Sequence, residues 1–243
     1  MKNIIILLLF LSSSLFGLIS ITPVDIGDNP GFHTKAEVSL NTSRGSADID
    51  NYSTSVKLTY DNNKTFVMWG EFSYAYGEVN SVENTNNSYL HLRYIQKIEG
   101  PWCGEFFLQR QEDKFKLIKY RGLGGSGIRY KFPFQAKSFI GLGGFYENTT
   151  YTSNDPDEHN FRVNSYFSYK YDEENFTLSY IFYYQPKIDD FKDYVETNSF
   201  ELLLPLKGSL SLKIQATYNI DSKPPIGVNR DDFSQTTSFI LDF

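Results

Sequence analysis

The sequence alternates apolar and polar residues through segment after segment, and it keeps alternating to its last residue. At that end Thr237, Phe239, Leu241 and Phe243 interleave with Ser238, Ile240 and Asp242. One face of the final strand is therefore mostly apolar, and the chain stops on an aromatic. Period two marks a strand whose two faces meet different surroundings. Near 32–42, Phe32, Ala36, Val38 and Leu40 oppose His33, Lys35, Glu37, Ser39 and Asn41. Near 52–60, Tyr52, Val56, Leu58 and Tyr60 oppose Ser53, Ser55, Lys57 and Thr59. Residues 66–76 and 210–218 repeat the pattern. Such a chain folds as antiparallel sheet, and what remains is which face meets water.

Composition answers that question. Aromatics make up 17% of the chain, with 18 Tyr and 21 Phe against only 2 Met. A soluble sandwich buries one face of each sheet in a dry core, so it would have to turn this Tyr-, Phe- and Leu-rich face inward. A membrane barrel sets that face against lipid, flanks it with aromatic girdles and keeps polar residues in its lumen. The predicted class is all-β: a transmembrane antiparallel up-and-down β-barrel. Tight turns are expected at 61–64, 99–101, 133–135, 172–175 and 207–208, with longer polar loops at 43–50, 77–87, 112–117, 148–160, 186–193 and 221–232. That alternation implies twelve strands with both chain ends on the periplasmic side and the longer loops outside.

The other end of the chain reads as an export signal. Lys2 precedes the apolar run from Ile4 to Leu11, then come three serines and Gly17. Residues 1–20 are expected to be a Sec signal peptide cleaved between 17 and 20. Leu18 rather than Cys follows Gly17, so no lipoprotein site is expected. Residues 21–243 are expected to form a single barrel domain, with 18–31 a short periplasmic lead-in. The lone Cys103 excludes an intramolecular disulfide, and the net charge of −6 argues against nucleic acid.

The polar row supplies the candidate lumen residues: Arg93, Arg121, Arg129, Arg162, Glu71, Glu105, Glu201 and Lys213. They form either cross-strand ion pairs that fill the lumen or a constriction whose Arg and Lys attract small anions. Arg93 has Glu71 or Glu105 within reach on adjacent strands, and Glu201 is expected to meet Lys213 across the 207–208 turn. Glycines at 122, 124, 125, 127, 141, 143 and 144 predict curvature or close approach of large lumen side chains. The run at 122–127 matches a dinucleotide loop only superficially, since no βαβ unit follows. His33, His91 and His159 lack a Ser at convincing spacing, so no enzyme activity is expected. His33 is placed near the periplasmic end, His91 facing inward on its strand, and His159 in a loop. The acids at 155–158, 189–193 and 231–232 match no Ca²⁺ loop and read as a diffuse acidic rim. No cofactor and no metal are expected. Phe239, Leu241 and Phe243 are expected to form the insertion signal read by the barrel-assembly machinery.

Three stretches resemble the family of salt-induced outer-membrane proteins. They are residues 43–48, the segment from Glu112 through Tyr130, and a set comprising 198–206, 209–213, Pro224, Pro225, Asp232 and Phe243. The chain departs from that family in its first loop, where Arg44, Gly45 and Ser46 stand. The resemblance implies a barrel in the bacterial outer membrane and carries over no catalytic residue. Two functions fit the sequence: a narrow passive channel for small polar or anionic solutes, or a plugged structural or envelope-stress barrel without transport. The partners expected are outer-membrane lipid, lipopolysaccharide and, for a channel, small solutes.

Overall fold

The structure, a computed structural model, describes residues 23–44, 48–134 and 136–243. The expected signal peptide lies outside the described residues. Twelve strands follow one another: β1 (Gly31–Ser43), β2 (Ile49–Asp61), β3 (Phe66–Val79), β4 (Val82–Glu99), β5 (Trp102–Asp113) and β6 (Ile118–Lys131). Then come β7 (Lys137–Tyr151), β8 (Glu158–Glu173), β9 (Phe176–Pro186), β10 (Tyr194–Lys207), β11 (Leu210–Asp221) and β12 (Asp231–Asp242). Each pairs antiparallel with its neighbours in sequence, and β12 returns to β1 to close the ring. Closure leaves no free sheet edge around the wall, the condition for strands to cross lipid. Strand lengths run from 11 residues in β9 to 18 in β4, enough for tilted spans of about 9–11 residues. No helix among the described residues is long and apolar enough to cross a membrane.

The alternation lands as the sequence dictates. In β2, Tyr52, Val56 and Leu58 are exposed while Asn51, Ser53, Ser55 and Lys57 are buried in the lumen. Rings gather in two belts on the outer wall. At the end where β1 begins and β12 finishes, Tyr60, Phe66 and Tyr94 pack ring against ring in series, as do Trp102, Tyr130, Phe132 and Phe134. At the opposite, loop end stand the pairs Tyr52–Tyr76, Tyr146–Phe161 and Tyr184–Tyr194. Such paired girdles mark the two interfaces of a spanning barrel.

Several expected loops are strand instead. The segment 77–87 forms a hairpin around Asn80 and Ser81, whose φ angles of 52° and 62° suit the two-residue primed turn. Residues 112–117 shorten to a turn at 114–117, and 148–160 to a loop at 152–157, which puts His159 in β8. These strand ends protrude beyond the outer girdle. Both faces carry polar residues there, and the period-two signal disappears.

Two features break the symmetry of the ring. The β1–β12 seam is its shortest ladder, matching only Lys35–Val38 with Phe239–Asp242 in register, whereas β1 and β2 match along the whole of both strands. The lead-in is the second. Residues 23–29 turn into the lumen at the end where β1 begins, where Val24 and Ile26, with Trp69, pack against Val67, Ile95 and Cys103.

Candidate functional site

The four inward arginines all point into the lumen, and each meets a carboxylate. Arg93 on β4 places Nη2 2.8 Å from Glu105 Oε2 on the adjacent β5. Its guanidinium lies over the rings of Trp69, Phe107 and Tyr166, 5.9, 5.7 and 5.3 Å from their centroids. Arg121 on β6 reaches Glu147 Oε2 at 2.6 Å, and Arg162 on β8 reaches the other oxygen of Glu147 at 2.5 Å. Arg162 also donates to Asp193 Oδ1 at 3.0 Å, so the 187–193 loop is tied down into the barrel mouth. Further out, Lys223 Nζ donates to Asp190 Oδ2 at 2.7 Å and holds that carboxyl below its ordinary value.

Arg129 serves the opposite end. Its Nη1 donates to the carbonyl of Val24 at 2.9 Å, and Nη2 lies 3.5 Å from Asp25 Oδ1. Lys131 also binds Asp25. Across the mouth, Asp61 Oδ2 accepts from the backbone N–H of Gly27 at 2.7 Å. The lead-in is thus pinned to β2 and β6, on different sides of the ring, and acts as a floor.

That floor divides the lumen. Pro23 and Val24 line both a chamber of about 310 Å³ toward the loop end and one of about 100 Å³ toward the start of β1. Glu71 borders both and stands opposite Lys57 in the β2–β3 ladder. Glu201 and Lys213 line the smaller chamber. Lys213 Nζ binds Glu37 Oε2 on β1 at 2.6 Å, and Glu201 also lies close enough to act on the same ammonium. In the ladder Glu201 is opposite Gln215 and Lys213 opposite Leu203, so the two stand diagonally on the same face.

The glycines do what their neighbours require. A Cβ on Gly141 would fall 2.1 Å from the ring of Tyr166, and one on Gly125 2.6 Å from Phe107. Their absence lets both rings lie against the wall, and Tyr166 then donates to Glu105 at 2.8 Å. The histidines stand apart from one another. His91 stacks on Tyr89 inside the lumen, His33 approaches the Pro30 carbonyl at the end where β1 begins, and His159 meets Tyr146 outside. Among the described residues, no cluster of three metal-ligating side chains is present. Phe239, Leu241 and Phe243 are exposed on the outer wall.

Glu37, Glu147, Asp25 and Asp193 complete these networks beside the residues singled out from sequence. Glu37 and Glu147 fall on the inward parity of their strands, so alternation alone flags both. Asp25 and Asp193 lie in irregular segments and carry no periodic signal.

A closed twelve-stranded barrel with lipid-facing girdles and a charged lumen defines an outer-membrane-type β-barrel protein. Within that class, the chain belongs to the family described as protein of unknown function, DUF481, which matches residues 36–243. That description carries no mention of salt induction. No curated protein matches the sequence. Among solved structures, an outer-membrane channel from Pseudomonas putida F1 aligns at a TM-score of 0.52 and 10% identity, covering 91% of this chain and 100% of that one. The translocator domain of the autotransporter NalP from Neisseria meningitidis aligns at 0.50 and 9%, covering 89% of each. At these identities the likeness is one of fold.

Proposed function

We propose that the protein sits in the bacterial outer membrane as a narrow passive route for small polar solutes, shut at its periplasmic mouth by its own lead-in. The observation that carries this reading is the seat of residues 23–29, which Asp61, Arg129 and Lys131 hold across the end where β1 begins. A wall that is polar on the inside and hollow above that floor suits solute passage once the floor moves. In this reading the termini face the periplasm, lipid and lipopolysaccharide meet the outer face, and induction by salt is carried by the family resemblance alone.

Planar-bilayer recording tests it. The intact protein is expected to be silent or to open rarely, and a variant lacking residues 23–29 to give a steady conductance. A deletion variant that folds and stays silent would overturn the route. A second reading, a structural barrel without transport, draws on the pairing of all four lumen arginines with carboxylates, and that silent outcome is the result it requires. Pairing also weakens the anion-selective form of the channel, because no guanidinium is left to set an uncompensated positive ring.

A further inference from the structure

We infer that the larger lumen chamber is a binding site for a small, uncharged, polyhydroxylated solute of the sugar or polyol class. This rests on the solute-route reading and names what the route takes.

Charge comes first. The charged side chains that line the chamber are Arg93, Lys116, Arg121 and Arg129 against Glu71, Asp113, Asp221 and Asp232, four of each sign. The cations are matched locally as well as in sum: Lys116 lies 3.1 Å from Asp232, and the arginines have the partners described above. A carboxylate or phosphate entering the chamber finds no unneutralised cation and gives up its hydration without return. The lining acids are held too, Asp232 by Lys116, Glu71 opposite Lys57, Asp113 by the backbone N–H groups of Phe115 and Lys116, and Asp221 by that of Lys223, so an ammonium also has little to gain. The lining selects against net charge.

The chamber also has two unlike walls. On β3, β4 and β5 the lining carries the rings of Trp69, Tyr89 and Phe107. Half-way round the ring, β10, β11 and β12 present Thr197, Ser199, Gln215, Thr217, Ser234 and Thr236, a wall of hydroxyl and amide groups. Gln109 and Asn164 add amides between the two. Buried atoms of lining residues without a hydrogen-bond partner include Nδ1 of His91 and Nε of Arg93. Apolar faces on one side and convergent hydrogen-bonding groups on the other are how pockets hold a molecule that has both. A sugar is such a molecule, with C–H patches for the rings and hydroxyls that both donate and accept. A purely apolar ligand would strip water from the polar wall, whose groups are only partly bonded to one another, and water alone leaves the rings wet. At about 310 Å³ the chamber sits at the small end of ligand pockets (~300–1,000 Å³), which points to a mono- or disaccharide rather than a long chain.

The protein has two tryptophans, Trp69 in the chamber and Trp102 on the outer girdle. Trp102→Phe therefore leaves a single reporter inside. With that variant folded in a detergent lacking a sugar headgroup, glucose and sucrose are expected to change Trp69 emission saturably. Gluconate and glucosamine should act about tenfold more weakly or not at all, and Asn164→Leu or Gln109→Leu should weaken the sugar response by about tenfold. Gel mobility before and after heating shows that each variant is folded, and two independent polar positions guard against one that is not. No emission change with either neutral sugar overturns the proposal, as does a response to gluconate stronger than to glucose. Binding is read here without conduction, and conduction above without sugar. A barrel that conducts after deletion of 23–29 but ignores sugars sinks only this inference, and one that binds sugars but never conducts sinks only the route.

Discussion

Glu147 receives two guanidiniums, one on each oxygen, and is almost wholly buried. Removing one member of such a group strands its partners in a poorly solvated site, at a cost of about 3–5 kcal/mol. Glu147→Ala is therefore expected to lower the temperature at which the folded barrel loses its fast gel mobility. Arg44→Ala, which breaks the exposed pair with Asp50, should leave that temperature unchanged. Equal behaviour of the two variants would mean that lumen pairs carry no special weight. At this scale the sequence is legible wherever a residue sits in a strand. The four arginines sit on the inward parity of their strands, and Arg93 pairs with Glu105 of the adjacent strand. Asp25 and Asp193, which complete the Arg129 and Arg162 networks, were not legible, because irregular segments give no parity to read.

The lead-in shows how an element can escape sequence reasoning. Residues 23–30 contain two prolines and a glycine with polar residues between, the composition of a linker. Only the lumen wall reveals Val24 and Ile26 as a stopper, since the cluster they cover is assembled from β3, β4 and β5. The cluster includes the single cysteine, buried Cys103, which supplies a native reporter. In the intact folded barrel a maleimide is expected to label Cys103 slowly. The double variant Val24→Asp, Ile26→Asp should label many-fold faster while keeping its folded gel mobility, because the ladders do not involve the lead-in. Equal rates would show that the segment does not cover the cluster. Loop lengths were misjudged for a related reason: polar stretches such as 77–87 look like loop once strands outrun the membrane.

For the whole molecule, strand number, connectivity and outward faces all follow from alternation and turn residues. The length of the lead-in's path and the partner of Lys213 depend on closure, which joins residues far apart in sequence. Phe243 belongs to this scale because it does two things. Its side chain is exposed on the outer wall, and its backbone exchanges both hydrogen bonds with Thr34, at 2.8 and 3.0 Å. Phe243→Asp removes the aromatic and keeps the backbone pair, whereas deletion removes both. The substitution is expected to slow assembly in cells yet refold in detergent; the deletion should impair both. If the substituted protein reaches the outer membrane at the normal rate, the terminal aromatic is not the insertion signal.

The brevity of the β1–β12 seam has a consequence for the order of folding. Every other joint links neighbours in the chain and can zip as a hairpin, at low loop-closure cost. The seam alone must bring together the two ends, as in the Ser39 hydroxyl donating to the Thr237 carbonyl across 198 residues. Glu37 acts as its clasp, holding Lys213 and Ser238 of the arriving strands at 2.6 and 2.5 Å. Until that clasp forms, the sheet has two unpaired edges that lipid cannot satisfy, so the chain crosses the membrane as a ring only at the last step. The lead-in stands directly before β1 in the chain. A sheet that curls shut from β12 toward β1 would close around residues already in place, and the floor would be built in during assembly rather than threaded afterwards.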